Sequence, residues 1–466
     1  MDRQLSVIDV GSSDRYIREI LCFPAKDPSV TSILRSGLVE TIKLIPQLAS
    51  RIVRTTSAVP LQFTEPCEII DDILSVRDVS KQFDYQVLRK ANFSFRYLAN
   101  DQLLGPDSMF SVSDAGGAPV MRVIASLLEG GLLLNVHLHH CMSDQTGLGV
   151  VLKTLAACTK SGSHNNFDPM VLNREVIKDY FTSQSVIANA GGPEDKSAAA
   201  SHALPSKQDH PQEQPLVLSD AEKPLQKQAI SPSMHEQERD CYALLYFSAA
   251  SLERLKRDVS LELSHGWLST LDCVSAAIWS SFTLHKDVET TSKPSSTMLV
   301  AVNIRHRVSP PITDDYIGNA VIAAYTQASV TNLKDGAHRL SALAKTASMI
   351  RQELTKHDQA YIHGLVQAMS SKASTPHWVT TQGVPFDLMT TSWALQGTYN
   401  FEWHPLMGCC EAVRIHPAKV TFEYACILPK MPDGGLEVAF ALKSNIYERL
   451  RGQKDLLLNK YAEWRA

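Results

Sequence analysis

Hydrophobic and polar residues alternate along two neighbouring stretches of the chain, and this pattern predicts a β-hairpin. The stretches are APVMRVIASLL, at 118–128, and LLLNVHLHH, at 132–140, with a turn at Glu129-Gly130-Gly131. A period of two is typical of a strand with one buried face, and glycines permit a tight turn. The second predicted strand ends in two adjacent histidines, His139 and His140, where the chain leaves the sheet.

Other segments carry apolar residues at helical spacing, and further strands are expected between them. The predicted helices lie at 29–44, 148–160, 248–259, 269–285, 335–356 and 447–464. The further predicted strands lie at 59–72, 297–307, 420–428 and 436–444. Strands and helices mixed in this way along the whole chain predict an α/β protein.

Residues 183–240 differ from the rest, because they are rich in Ser, Pro, Gln, Glu, Lys and Ala and poor in aromatic residues. Such a stretch cannot bury enough apolar area to offset the entropy lost on ordering. We therefore expect a polar crossover or linker here. It would join an N-terminal lobe at 1–182 to a C-terminal lobe at 241–466, and a strand could be exchanged between the lobes.

The composition narrows the class of partner. The 466 residues are 44% hydrophobic and 20% charged, with a formal net charge of −4, so neither nucleic acid nor an anionic membrane is expected as a partner. No run approaches the ~18 apolar residues of a membrane span, and the N-terminus lacks the apolar centre of a signal peptide. The nine cysteines are scattered without a Cys-x-x-Cys pair. These features predict a reduced cytoplasmic protein without a zinc site.

His140 is the candidate for chemistry. Strand periodicity places Val136, Leu138 and His140 on one face, so His140 comes last on the apolar side, beside a loop. A partly desolvated imidazole with an ordinary pKa near ~6.5 suits a general base. Asp144, four residues later, can fix the turn. The residues alone leave open a structural role for this pair, and the neighbouring Cys141 is either a nucleophile or an inert buried thiol.

Five segments, read together and in order, match one known pattern. They are His139–Asp144; Ser269–Asp272 with Trp279; Asn303–Arg307 with Pro310-Pro311 and Tyr316–Asn319; Thr391-Ser392-Trp393; and Glu402-Trp403-His404 with Gly408 and Val413-Arg414. This set resembles the BAHD acyltransferases, especially their fungal secondary-metabolite branch, whose HxxxD sequence corresponds here to His140 and Asp144. The order and separations of the segments make the resemblance more specific than any one of them.

The resemblance implies two similar mixed-sheet lobes, like those of chloramphenicol acetyltransferase, with a tunnel between them. It implies an O-acyltransferase in which His140 is the general base and acyl-CoA, above all acetyl-CoA, is the cosubstrate. It also implies a buried Asp144–Arg305 ion pair and an oxyanion or acceptor pocket at Ser392 and Trp393. We expect a monomer that acts on a small-molecule alcohol and needs no metal and no permanently bound cofactor.

Two departures from the family pattern keep alternatives open. Gln145 replaces the glycine that usually follows the aspartate, and in Glu402-Trp403-His404 the family's Asp is replaced by Glu402 and its Gly by His404. One alternative is a condensation-type enzyme that takes its donor from a carrier protein. A second is a binding protein or pseudoenzyme on the same fold, and a third is an enzyme that forms an acyl intermediate on Cys141. The sequence does not identify the acceptor or the residues that hold the CoA phosphates.

Overall fold

The computed structural model describes residues 4–12, 15–55, 61–105, 112, 116–162, 166–177, 240–286, 294–371, 385–417 and 422–465. The predicted polar crossover at 183–240 lies outside the described residues, except for Asp240, which begins a strand.

The strands of the described chain are β1 (Tyr16–Phe23), β2 (Arg51–Arg54), β3 (Leu61–Phe63), β4 (Leu74–Asp78), β5 (Ala118–Pro119), β6 (Met121–Leu128), β7 (Gly131–His139), β8 (Asp240–Phe247), β9 (Ser295–Asn303), β10 (Val321–Ser329), β11 (Leu388–Ser392), β12 (Ala412–Ile415), β13 (Tyr424–Ile427), β14 (Leu436–Lys443) and β15 (Glu463–Arg465). The longer helices are Val30–Leu44, Gln145–Ser161, Ala249–Ser260, Thr270–His285, Leu340–Lys356, Gln359–Ser371 and Ser444–Gly452. Shorter helices are Val7–Val10, Ile70–Ile73, Tyr85–Lys90, Phe95–Leu98, Asp101–Leu104, Val330–Gly336 and Leu457–Tyr461.

Two large mixed sheets organise the described residues. One has five strands in the order β12-β1-β7-β6-β4, and the other has seven in the order β10-β9-β11-β13-β14-β8-β15. A small third sheet has the order β3-β2-β5. Strand β12 comes from the C-terminal half of the chain yet pairs with β1, so Leu21 lies opposite Val413. The sheets therefore do not divide strictly at the middle of the sequence.

The predicted hairpin is confirmed, because β6 and β7 pair antiparallel from Leu128–Gly131 to Met121–Leu138. Both faces of β7 are buried along its whole length. Leu134, Val136 and Leu138 enter one hydrophobic core, whereas Leu133 enters another. A strand held at the centre of a sheet and covered on both faces is a rigid support for the histidine that follows it.

The helix Thr270–His285 begins where its sequence predicts. Ser269 Oγ accepts a hydrogen bond from the Asp272 backbone N–H, and the Asp272 carboxylate accepts one from the Ser269 backbone N–H. This capping box satisfies backbone groups that a helix start leaves without partners.

The single closing helix predicted at 447–464 is wrong. The segment forms the end of one helix, Ser444–Gly452, then a second helix, Leu457–Tyr461, and then the strand β15. Gly452 ends the first helix, and β15 pairs with β8, which places Glu463 opposite Tyr246. Pairing with the edge of β8 satisfies the backbone groups of these residues in place of the hydrogen bonds of a continued helix, and it covers an otherwise open sheet edge.

Candidate active site

A cavity of about 1810 Å³ lies between the two large sheets. It is lined from the N-terminal sheet by Arg18 and His140 and from the C-terminal sheet by residues that include Val300 and Ser392. Of the site residues predicted from sequence, His140, Asp144, Ser392 and Trp393 all line this cavity. Arg305 is fully buried behind it. The fold therefore brings together side chains that lie more than 200 residues apart in sequence.

His140 stands immediately after β7, and its half-buried side chain faces the cavity. Its backbone N–H donates to Arg15 O at 2.8 Å, which fixes the chain where it leaves the sheet. Ring atom Nδ1 lies 3.1 Å from Asn319 Oδ1. Sequence reasoning did not assign a role to Asn319, although it belongs to the matched segment Tyr316–Asn319. Nothing local to that segment indicates that it meets the histidine.

The hydrogen bonds of Asn319 determine which nitrogen of His140 carries the proton. Asn319 Nδ2 donates to Asp9 Oδ1 at 2.9 Å and to the His140 carbonyl at 2.7 Å, and both of these oxygens are acceptors. The Asn319 carbonyl oxygen must then face the imidazole, so Nδ1 is the donor. Nε2 therefore carries the lone pair. Burial lowers the pKa of His140 below its ordinary value, which keeps the ring neutral near pH 7.

Asp144 and Arg305 form a bidentate ion pair, with Nη1–Oδ2 and Nη2–Oδ1 distances of 2.8 and 3.0 Å. The Asp144 carboxylate also accepts from the backbone N–H groups of Gly147, at 3.0 Å, and Ala320, at 2.8 Å. Burial alone would raise the pKa of Asp144, but Arg305 and these hydrogen bonds reverse the effect and lower it. The pair joins the helix start after His140 to the loop before β10.

Ser392 and Trp393 stand at the end of β11, on the C-terminal side of the cavity. Ser392 is exposed to the cavity, whereas Trp393 is 6% exposed and belongs to a hydrophobic core. The Trp393 backbone N–H donates to Ile427 O at 2.7 Å, so its own strand neighbour fixes its position. A hydroxyl and an indole N–H are both able to donate one hydrogen bond to a developing negative charge.

The altered element Glu402-Trp403-His404 packs against the N-terminal lobe. Trp403 lies edge-on to Phe23 with ring centroids 5.0 Å apart. Glu402 pairs with Lys160 at 2.6 Å, and the His404 ring accepts from the Leu406 backbone N–H at 3.2 Å. The element thus contacts the helix Gln145–Ser161 through Glu402 and strand β1 through Trp403, so the two halves of the chain meet here although Glu402 and His404 differ from the family's residues.

Basic side chains of the helix Gln145–Ser161 border the cavity and could meet an anionic group. Lys153 pairs with Asp315 at 3.7 Å, and Lys160 pairs with Glu402, and all four side chains are exposed. Exposed ion pairs of this kind contribute only about 0–1 kcal/mol, so a phosphate can replace either carboxylate at small cost. These lysines are the candidates here for holding an anionic cosubstrate.

The described residues give little support to an acyl intermediate on Cys141. Cys141 is completely buried in the hydrophobic core and does not line the cavity. Across the described ranges, no group of three or more His, Cys, Asp and Glu residues is arranged to hold a metal ion. In the same residues, no helix combines the length and apolarity needed to cross a membrane.

The two large sheets, the cavity between them and the imidazole at its wall form a two-lobed α/β fold with a candidate catalytic site between the lobes. A sequence profile of the Transferase family matches residues 101–453, and the profile of the trichothecene 3-O-acetyltransferase-like N-terminal domain matches residues 16–158. The chain therefore belongs to the Transferase family, the BAHD-type enzymes, and is an acyl-CoA-dependent acyltransferase.

Individual proteins are similar to this chain over nearly its whole length. The trichothecene 3-O-acetyltransferase TRI101 of Fusarium sporotrichioides is 24% identical, covering 96% of this chain and 94% of that protein. The crystal structure of F. sporotrichioides TRI101 complexed with coenzyme A and T-2 superposes with a TM-score of 0.75 and 20% identity, covering 100% of both chains. Vinorine synthase superposes with a TM-score of 0.61 and 16% identity, covering 98% of this chain and 93% of that one.

Proposed function

We propose that the protein transfers an acyl group, acetyl above all, from acyl-CoA to a hydroxyl group of a small secondary metabolite, with His140 as the general base. The observation that carries this proposal is the hydrogen bond between His140 and Asn319, because it leaves the lone pair on Nε2. The names of the relatives support the acceptor class, since TRI101 is a 3-O-acetyltransferase and its complex holds coenzyme A and T-2.

The chemistry begins with an alcohol, which is a poor nucleophile at neutral pH. His140 Nε2 takes the hydroxyl proton while the alcohol oxygen attacks the thioester carbonyl carbon, and a tetrahedral oxyanion forms. General-base assistance of this kind contributes about 10²–10⁴-fold to a rate. Ser392 or Trp393 donates a hydrogen bond to the oxyanion. The C–S bond then breaks, the CoA thiolate takes the proton from the imidazolium, and the products are an ester and free CoA.

The proposal is tested by incubating the purified protein with acetyl-CoA and a panel of secondary-metabolite alcohols, without any carrier protein. Ester formation by mass spectrometry, together with release of free CoA, is the expected result. His140→Gln keeps the size and polarity of the side chain and should lower kcat by about 10²–10⁴-fold while acceptor binding persists. Turnover that requires an acylated carrier would instead identify a condensation-type enzyme, and binding without turnover would identify a binding protein.

A matched experiment addresses an acyl intermediate on Cys141. Intact-mass analysis after exposure to acetyl-CoA alone should show no added acetyl group, because the thiol is buried in the core. Cys141→Ala should retain most of the activity of the unmodified protein. A stable acetyl adduct that disappears in Cys141→Ala would overturn direct transfer.

The proposal also covers the oligomeric state, location and domain organisation of the protein. We propose a monomer in the cytoplasm, built from two lobes joined by the polar stretch 183–240. The formal net charge of −4 supports the absence of nucleic-acid and membrane partners. Light scattering during size-exclusion chromatography measures the mass and so tests whether the protein is a monomer. Limited proteolysis tests whether 183–240 is a linker, because a linker should be cleaved first.

A further inference from the structure

Asp9, close to the start of the chain, reaches the residue that binds the His140 ring. It lies on the short helix Val7–Val10 and is fully buried. Its Oδ1 atom accepts two hydrogen bonds from Asn319, one from the backbone N–H at 2.8 Å and one from Nδ2 at 2.9 Å. Asp9 precedes residue 16, where the earlier of the two family profiles begins to match. Neither profile therefore assigns it a role.

We propose that Asp9 is a positioning residue that selects the reactive tautomer of His140 by orienting the Asn319 amide. This inference rests on the proposed role of His140 as general base. A side-chain amide can present either its oxygen or its NH₂ group to the imidazole. A carboxylate accepts only, so Asp9 holds the NH₂ group on its own side and turns the Asn319 oxygen towards His140 Nδ1.

The opposite orientation of the amide would disable the base. Asn319 Nδ2 would then face His140 Nδ1, which would have to accept, and the ring proton would move to Nε2. An Nε2–H group cannot remove a proton from the acceptor alcohol. The His140 carbonyl also accepts from Asn319 Nδ2, at 2.7 Å, and favours the same orientation. Asp9 adds the stronger preference, because hydrogen bonds to a charged acceptor exceed neutral ones.

The charge of Asp9 is itself held in place by the chain around the site. Arg174 Nη1 lies 2.6 Å from Asp9 Oδ2, and both side chains are buried. Ser6 donates to the same Oδ2 atom from its hydroxyl, at 2.7 Å, and from its backbone N–H, at 2.8 Å. Arg174 Nη2 also donates to Met142 O at 2.7 Å, within the loop between His140 and Asp144. The buried Asp9–Arg174 ion pair thus connects the N-terminal segment to the loop between His140 and Asp144.

The test compares Asp9→Asn with Glu437→Gln. The new amide at position 9 has nearly the same shape as the carboxylate but no longer imposes one orientation on Asn319. Glu437 is the matched control, because it is a buried carboxylate that pairs with Arg414 at 2.7 Å and does not line the cavity. Asp9→Asn should lower kcat by about 10-fold or more with KM for acetyl-CoA within about 2-fold. Glu437→Gln should lower the unfolding midpoint and leave kcat unchanged.

A spectroscopic measurement reads the tautomer directly. In protein labelled with carbon-13 histidine, the imidazole Cδ2 shift of His140, assigned by its loss in His140→Gln, should report an Nδ1–H ring above its pKa. Asp9→Asn should shift this signal towards the Nε2–H form. The proposal is overturned if the wild-type ring already carries its proton on Nε2, or if Asp9→Asn folds and keeps both kcat and the wild-type shift. Because this readout needs no turnover, failure of the acylation assay with every alcohol would refute the proposed function separately.

Discussion

Gln145 Nε2 donates a hydrogen bond of 2.6 Å to Glu19 Oε2. Gln145 is also the residue that replaces the family's usual glycine after the HxxxD aspartate. Gln396 Nε2 donates to the same oxygen at 2.8 Å, and Thr398 Oγ1 donates to Glu19 Oε1 at 3.4 Å. The network joins β1, the helix Gln145–Ser161 and the loop after Trp393. The departure from the family pattern thus supplies a buried polar contact between the two halves of the site.

Glu19 is fully buried, and burial raises its pKa from 4.5 to about 7, although the hydrogen bonds from Gln396, Gln145 and Thr398 act in the opposite direction. Between pH 4.5 and 7 the folded protein therefore holds a proton that the unfolded chain has released. Stability falls as pH rises through this window, and each pKa unit corresponds to about 1.4 kcal/mol. The buried carboxylate disfavours folding at pH 8 by about 3 kcal/mol relative to pH 4.5.

Glu19→Gln should remove this pH dependence. The amide keeps an oxygen for Gln145 and Gln396 and avoids a buried charge, so the variant should exceed the wild type in unfolding free energy by up to about 3 kcal/mol at pH 8. At pH 4.5, where Glu19 is still about half protonated in the unfolded chain as well, the two proteins should be nearly equal. Urea unfolding at both pH values provides the measurement. An equal difference at both pH values would show that Glu19 does not titrate in this range.

Gln145→Gly restores the family's residue and should destabilise this chain. Glu19 would lose its shortest hydrogen bond, and glycine in a helix costs up to about 1 kcal/mol relative to alanine, so a loss of about 1–3 kcal/mol is expected at pH 8. Gln145→Gly should cost less in the Glu19→Gln background than in the wild type, because the hydrogen bond it removes no longer has a charged acceptor. Equal costs in the two backgrounds by urea unfolding would contradict the contact.

Asp144→Ala should lower both stability and rate. It leaves the guanidinium of Arg305 buried without its carboxylate, which typically costs ~3–5 kcal/mol, and it frees the loop that carries His140. Thermal unfolding and yield of folded protein measure the first effect, and the acetylation assay measures the second. Lys153→Ala, which removes an exposed ion pair of the same helix, is the control and should unfold like the wild type. A fully stable but slow Asp144→Ala variant would contradict the expectation that the Asp144–Arg305 pair stabilises the fold and holds the loop of His140.

The acid limb of the kcat/KM profile should have its midpoint below pH 6.5. Burial lowers the pKa of His140, so the neutral base persists to a lower pH than an exposed imidazole would allow. Initial rates between pH 4.5 and 8 test this expectation, with circular dichroism at each pH to show that the fold persists. A midpoint above pH 6.5 would mean that the charged form of His140 is stabilised in the free enzyme.

Trp393→Phe and Ser392→Ala should distinguish the two candidate oxyanion donors. Each change removes one donor and keeps most of the side-chain volume, and loss of an oxyanion donor costs about 10²–10³-fold in kcat. One of the variants should show this loss with little change in KM for acetyl-CoA. If both retain wild-type kcat, the stabilising donor is a different group of the cavity wall.

Short stretches of the sequence predicted those elements whose formation depends on residues close together in the chain. Alternating residues predicted the hairpin β6–β7, and helical spacing of apolar residues predicted the helix at 269–285, because these depend on neighbours in sequence. The end of the chain shows the limit. Its periodicity predicts one helix, but the last residues form β15 instead, because they pair with the free edge of β8.

The sequence by itself determined the family, the strand that ends just before His140 and the segments that supply Asp144 and Arg305. Tertiary structure decided what surrounds them. Asn319 meets His140 across 179 positions and Asp9 across 310, while Glu19 meets Gln145 across 126. Burial and partners set the tautomer of His140 and the pKa of Glu19, and both are fixed by which side chains the folded chain brings together. A sequence pattern records neighbours along the chain, so it indicates His140 as the candidate base but not the contacts that hold its proton in place.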